Sequence, residues 1–298
     1  MNVYWLGHEA CNNSSLVGGK AANLSRLYSH NRVPTAFCLS ALSEEVEPMM
    51  QAIQAPDRAE TTPNELLDII SQPYRELSGR IGGGEIGVAV RSSSSEEDAE
   101  EASFAGQHET FLNVVGIEAV ARAIIRCFAS FFSTRAVAYR TKKGVTTNEP
   151  RLAVIIQQQI LADVSAVIFS ANPATGDRSE IVINVSWGQG ESVVSGAVTP
   201  DLYTVRKPDL IILSRQISEK RLMTVPSNTG TKQVDVPRIM QKEPCVTDKQ
   251  VQEMAQLTLV LEKSQGWPVD VECAYQGSSL YLLQCRPITT LDRSNRNS

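Results

Sequence analysis

Hydrophobic and polar positions alternate with a period of two near the C-terminal end of the chain, where residues 268–287 read PVDVECAYQGSSLYLLQCRP. Two alternating runs, 269–275 and 280–286, flank a Gly-Ser-Ser link, which predicts a β-hairpin with a three-residue loop. If Gln276 faces Leu280, antiparallel counting sets Glu272 opposite Gln284 and Asp270 opposite Arg286 on one face. Val271 and Cys273, with Leu283 and Cys285, then take the other face and suit a core.

Elsewhere the pattern changes to the period of a helix. Ala21, Leu24, Leu27 and Tyr28 recur at helical spacing after the stretch LVGGK at 16–20, so Lys20 stands in a glycine-rich loop entering a helix. A short strand is expected before it, around residues 3–6. Helices are expected over 43–54, over 63–77 with Leu66, Leu67, Ile69 and Ile70 on its apolar face, and over 117–139. A last helix should run from Thr247 to Gln265, with Thr247 and Gln250 spaced as a capping box and Gly266 as its stop. Strands are expected at 86–90, ending in Arg91, and at the return run ETFLNV. Residues 152–160 and 164–171 read as two paired strands, followed by a strand at 180–186 and a hairpin over 203–217. The polar stretch TKKGVTTNEP at 141–150 is the expected boundary between two lobes, 1–150 and 151–291, with a polar tail at 292–298.

Composition narrows the function. At 298 residues and 42% hydrophobic, the chain has material for one large or two medium domains. Its net charge of -5, with no cluster of Lys and Arg among aromatics, argues against a nucleic-acid partner. Six cysteines without metal spacing predict buried thiols in a reducing compartment. No apolar run reaches membrane-spanning length, and the first residues lack the pattern of a secretory leader, so a cytoplasmic protein without a membrane partner is expected.

Three polar passages carry candidate chemistry. The loop before Lys20 lets backbone amides and an ammonium approach an anion at the positive end of a helix. It is no Walker A motif, because Ala21 replaces the Ser/Thr and Ser14 stands where the first glycine belongs; a glycine turn with a solvated lysine also fits. Residues 91–114, RSSSSEEDAEEASFAGQHETFLNV, join an arginine at a strand end to a serine run, an acidic run and a small-residue loop, SFAGQ. Hydroxyls and glycine amides donate hydrogen bonds without bulk, which suits a flap over a phosphate chain; the acidic side chains read as solvated. In the hairpin, an acid beside an amide oxygen makes a hard-cation site of the Mg²⁺ kind, with an arginine nearby for phosphate oxygens. An edge ribbon with a solvated polar face fits the hairpin equally well. The loop WGQGESVVSGAVTPD at 187–201 fails the dinucleotide fingerprint, since Val193 occupies the third glycine position.

Together, VGGKAANLSRL, VAVRSSSSEEDAEEASFAGQHETFLNV, WGQGESVVSGAVTPD, PVDVECAY and LLQCRPIT resemble the nucleotide-binding domain of the pyruvate phosphate dikinase, phosphoenolpyruvate synthase and rifampicin phosphotransferase group. The resemblance runs from about residue 17 to 290. It implies an α+β, two-lobed ATP-grasp fold with mixed or antiparallel sheets and flanking helices, binding ATP and Mg²⁺. By the same resemblance Lys20 and Arg91 contact the ATP phosphates and Thr110 supplies a polar contact beyond the SFAGQ loop. Gln157 lies near the adenine, and Glu191 belongs to the glycine loop beside the nucleotide. Glu272 and Gln284 hold Mg²⁺, and Arg286, with Asp270 beside it, bridges the reacting phosphates; Arg286, Arg91 and Lys20 are the expected catalytic set. The family's phosphoaccepting histidine has no counterpart among His8, His30 and His108. The resemblance therefore implies a phosphotransferase component that passes the β-phosphoryl group of ATP to a histidine on a separate carrier, leaving AMP and phosphate. Two alternatives remain open on sequence: an ATP-grasp ligase or small-molecule kinase acting directly on an acid or alcohol, and a non-catalytic nucleotide-binding subunit.

Overall fold

The computed structural model describes residues 1–42, 44–48, 63–93, 110–133 and 151–288. The expected helix at 43–54 in its larger part, the SFAGQ loop, His108, the acidic run, the 141–150 boundary and the tail lie outside the described residues. Secondary structure is α+β, and every described strand ladder is antiparallel. The chain folds into two compact units: 1–30 with 34–159 and 227–230, and 31–33 with 160–226 and 231–298.

The first unit is built on a five-stranded sheet. Its strands are β1 (Asn2–Trp5), β2 (Ala36–Leu42), β3 (Gly87–Ser93), β4 (Thr110–Val115) and β5 (Arg151–Gln158), in the order β1-β2-β5-β3-β4. β5 is therefore central. That differs from the expected pairing of 152–160 with 164–171: β5 instead pairs with β2 and β3, Gln158 N–H donates to Thr35 O (2.8 Å), and Gln159 N–H to Gly87 O (3.1 Å). The unbroken apolar run of β5 has a physical cause, because both of its faces are covered. Leu152, Val154 and Ile156 join Phe37, Leu39, Val88 and Val90 in the main core of the unit. Helices α2 (Asn64–Arg80) and α3 (Ile117–Phe131) add Leu66, Ile70, Leu77, Val120, Ile124, Phe128 and Phe131 to that core, at the three- and four-residue spacing read from the sequence. Ala153, Ile155 and Gln157 face the other way, toward helix α1 (Ser14–Leu27), whose Ala21 and Ala22 are fully buried and whose small side chains allow close approach.

The second unit carries a six-stranded sheet. Its strands are β6 (Val164–Phe169), β7 (Glu180–Trp187), β8 (Asp201–Arg206), β9 (Ile212–Gln216), β12 (Val269–Gln276) and β13 (Ser279–Pro287), in the order β13-β12-β6-β7-β8-β9. A separate ribbon pairs β10 (Leu222–Pro226) with β11 (Thr231–Asp235), and a short helix, α4, spans Glu191–Val194. One face of the large sheet, with Val271, Cys273, Ile168, Ile183, Val185 and Tyr203 buried, is covered by α5 (Asp248–Gln265) through Val251, Met254, Ala255 and Leu261. The capping box is formed: Thr247 Oγ1 accepts the Gln250 N–H (3.3 Å) and Gln250 Oε1 accepts the Thr247 N–H (2.9 Å). Gly266 ends the helix at φ 78°, the left-handed conformation a glycine stop requires. Among the described residues, no helix is long and apolar enough to cross a membrane.

Candidate functional site

In the first unit, register decides which side chains share a face. Arg91 pairs with Ile155, which pairs with Cys38; Ser93 pairs with Ala153, which pairs with Ser40; Ala89 pairs with Gln157; and Thr110 pairs with Arg91 from the other side. Directly opposed residues point to the same face, so Arg91, Ser93, Gln157 and Thr110 all lie on the α1 side, opposite the main core. Arg91 is 9% exposed and Gln157 2%, with Gln157 Nε2 donating to Pro34 O (3.5 Å), whereas Thr110 is exposed. Lys20 belongs to α1 and so to this same face. Four of the residues the sequence singled out are thereby gathered on one side of one sheet.

The turn that carries Lys20 is fixed closely. α1 is broken at Gly18 (φ 75°, ψ 168°), a conformation essentially restricted to glycine. A Cβ placed on Gly18 would stand 2.3 Å from Ser93 O and 2.5 Å from Ser93 Oγ. Ser93 Oγ accepts the Ala21 N–H (3.1 Å) and donates to Val17 O (2.8 Å); Cys38 Sγ reaches Val17 O (3.8 Å), and Ser40 Oγ donates to Leu16 O. Burial, with Cys11 nearby, pushes the Cys38 thiol well above its ordinary range, so it is a neutral packing group and not a nucleophile. Here the structure amends the sequence reading: Ser92 and Ser93 are the fully buried end of β3 and no part of a flap.

In the second unit, the β12-β13 hairpin sets the polar groups. Its turn is two residues long, with Gln276 paired to Ser279 across Gly277 and Ser278, not the expected three-residue loop. Gly277 has φ 60°, matching a turn with glycine at its first central position. That shorter turn alone would shift every later pair. A β-bulge restores the register: Cys273 pairs with Leu282, Glu272 with Gln284, and Leu283 is the extra residue. Leu282, 1% exposed, therefore takes the core place expected of Leu283 beside Cys273. Beyond the bulge Glu272 faces Gln284 and Asp270 faces Arg286, as the alternation predicts.

The contacts on that face are specific. Arg286 Nε donates to Asp270 Oδ2 (2.8 Å), its Nη2 stands 2.8 Å from the same oxygen as an ion pair, and Gln284 Nε2 donates to Glu272 Oε1 (3.3 Å). Asp270 is 6% exposed, and its Oδ1 is buried without a hydrogen-bond partner. Burial raises the Asp270 carboxyl above its usual range; the guanidinium of Arg286 opposes that shift and the Glu272 charge adds to it. An acceptor left unsatisfied in the interior carries a desolvation cost that a hydrogen bond or a cation would relieve. Two carboxylates and an amide oxygen form a hard donor set that fits Mg²⁺, with remaining positions open to water and phosphate oxygens. Gln284, whose amide here donates to Glu272, would present its oxygen to such a cation with the amide turned over, since the two ends of an amide are a donor and an acceptor.

Glu191 is placed differently from the hairpin residues. It opens α4, is exposed, and its Oε2 accepts from Thr231 Oγ1 (2.8 Å). The residue the sequence reading left aside there is Gln189, 3% exposed, whose Nε2 donates to Ile160 O (3.0 Å) while its backbone N–H donates to Thr224 O (2.8 Å). Gly188 approaches Thr224 so closely that a Cβ would lie 2.3 Å from its carbonyl oxygen. Composition alone did not mark Gln189, since its role depends on carbonyls brought from other segments.

Comparison with known proteins shows the family of the chain. The family described as the pyruvate phosphate dikinase AMP/ATP-binding domain matches residues 43–298. A probable phosphoenolpyruvate synthase of Pyrococcus horikoshii is 45% identical over 77% of this chain and 29% of its own length. A probable phosphoenolpyruvate synthase of Methanocaldococcus jannaschii is 35% identical over 99% of this chain and 27% of its own. A rifampicin phosphotransferase of a Streptomyces species is 33% identical over 92% of this chain and 34% of its own. The chain thus spans about a third or less of the length of these three relatives. It belongs to the family of pyruvate phosphate dikinase AMP/ATP-binding domains.

Proposed function

We propose that this chain is the nucleotide-binding, phosphoryl-activating part of an ATP-dependent phosphotransferase, with the two-lobed ATP-grasp architecture its family resemblance implies. Lys20 and Arg91 hold phosphate oxygens from the first unit, Thr110 adds a polar contact, and Gln157 stands on the adenine side. In the second unit Glu272 and Gln284, with Asp270 beside them, would hold Mg²⁺, and Arg286 meets the reacting phosphates; Glu191 lines the glycine loop. When bound, the cation neutralises phosphate charge.

The chemistry asked of these residues is positioning and charge neutralisation. Lys20, Arg91 and Arg286 spread the negative charge that builds on the transferring group. Asp270 holds the Arg286 guanidinium by a hydrogen bond and an ion-pair contact to a single oxygen, so its remaining donors are aimed and not free to wander. The β-phosphoryl group passes to a histidine on a separate carrier, leaving AMP and, with one water consumed, phosphate. The observation that carries this reading is the hairpin: a bulge restores the pairing of Glu272 with Gln284 and Asp270 with Arg286, and leaves a buried carboxylate oxygen without a partner.

The test is product analysis. The chain is incubated with MgATP, alone and with a histidine-bearing carrier domain excised from one of the longer relatives, and nucleotides are separated by chromatography. AMP formed only with the carrier, together with label from the β-phosphate on the histidine, is the expected result. ADP formed with a small acceptor and no second protein would refute it in favour of a direct kinase.

A further inference from the structure

Ser93 stands out among the buried polar groups of the first unit. Its hydroxyl acts at once as acceptor for the Ala21 N–H (3.1 Å) and donor to Val17 O (2.8 Å), across more than seventy residues of sequence. The break at Gly18 means that the helix restarts at Gly19, and the first amides of a helix have no intrahelical carbonyl. Ala21 N–H is one of these, and Ser93 caps it from another strand. Its neighbours in the turn, Gly19 and Lys20, come between the two carbonyl and amide groups that Ser93 grips. Ser93 also lies two residues beyond Arg91 on the same strand and face, a separation of about 7 Å.

We infer that Ser93 is a positioning residue that fixes the Lys20 turn at a set distance from Arg91, so that ammonium and guanidinium meet one polyphosphate chain. This rests on the proposed ATP-binding role of Lys20 and Arg91. The hydroxyl is suited to the task because it donates and accepts from a single short side chain. The Gly18 backbone fits against Ser93 with no room for a Cβ, so turn and strand are matched over several atoms and not through one hydrogen bond. Removing the hydroxyl leaves the Ala21 amide and the Val17 carbonyl to find other partners in a buried place, and the turn relaxes away from β3.

The experiment is a double-mutant cycle read by calorimetric titration of the full chain with MgATP and with adenosine. Ser93→Ala is expected to weaken MgATP binding about tenfold while adenosine affinity stays within twofold, since adenosine lacks phosphates. In a Lys20→Ala background Ser93→Ala should change MgATP affinity by less than twofold, because the group being positioned is gone. Ser93→Cys, of similar size but a weaker donor, should fall between, and gives the same readout if the alanine variant folds poorly. Amide exchange at Ala21 should quicken in Ser93→Ala without nucleotide. Unchanged MgATP affinity in Ser93→Ala, or an equal loss with and without Lys20, would overturn the inference while leaving the ATP-binding reading intact. A wild-type chain that binds no MgATP would overturn that reading, and this inference with it.

Discussion

Two glycine-to-alanine substitutions in the first unit should have opposite signs. Gly18 has φ 75° and ψ 168°, and a Cβ there would meet Ser93 O at 2.3 Å. The conformation alone costs an alanine about 1–3 kcal/mol, and the overlap falls on backbone, which cannot swing aside like the end of a flexible side chain. Gly18→Ala should therefore destabilise by at least about 3 kcal/mol, near the exceptional end of single substitutions. Gly79 sits within α2, and nothing lies within 4 Å of its added Cβ. There the methyl reduces the freedom of the unfolded chain and improves helix propensity, so Gly79→Ala should stabilise by about 0.5–1 kcal/mol. Urea unfolding followed by the fluorescence of Trp5, in the first unit, measures both. Equal midpoints for the two variants, or a Gly18→Ala midpoint at or above wild type, would refute the account of the Lys20 turn.

Other regions give further tests. Lys220 and Asp201 form an ion pair with both side chains fully buried, and Asp201 also accepts the backbone amides of Ser218 (3.0 Å) and Cys245 (2.9 Å). Lys220→Met should cost about 3–5 kcal/mol by leaving a buried carboxylate; adding Asp201→Asn should recover part of that loss, and strict additivity in denaturation midpoints would contradict the pairing. Arg286→Ala should lower phosphoryl transfer by about a thousandfold or more while MgATP affinity stays within a few-fold, as single-turnover assay and calorimetry will show. All six cysteines are buried, so a thiol reagent at pH 8 should label the native chain little and the urea-unfolded chain fully. Burial pushes the Cys11 thiol from 9.0 up to about 11. The folded chain thus keeps a proton that the unfolded chain releases, and its share of stability should be full below pH 9.0 and lost as pH rises toward about 11, measured as a falling melting temperature.

Much of the candidate site was legible because it rests on short-range pattern. Alternation along β12 and β13 was enough to oppose Glu272 to Gln284 and Asp270 to Arg286, although the hairpin reaches that register by a two-residue turn and a bulge instead of a three-residue loop. The two differences cancel from Glu272 onward, and only Cys273, Ala274, Tyr275 and Gln276 face a residue one place earlier than expected. The helix limits of α5 followed from Thr247, Gln250 and Gly266, whose capping chemistry is local. Strand partnership was not local. Residues 151–158 and 164–169 are both apolar and adjacent in sequence, yet they join different sheets, because β5 is drawn between β2 and β3 by side chains covered on both faces. Ser93 escaped notice for the same reason: a run of serines looks like a flexible loop until Val17 and Ala21 are seen to close around it.

The central proposal is that this chain binds ATP in a Mg²⁺-dependent way, with Arg91 and Glu272 each contributing. Calorimetric titration of the intact chain with ATP, with Mg²⁺ and with the ion chelated, tests it most directly, with Arg91→Ala and Glu272→Ala run alongside. The account predicts saturable binding at one site per chain, weakened about tenfold or more by chelation and by Arg91→Ala, with Glu272→Ala no longer responding to Mg²⁺. ATP affinity that is the same with and without Mg²⁺, and the same in both variants as in wild type, would contradict it.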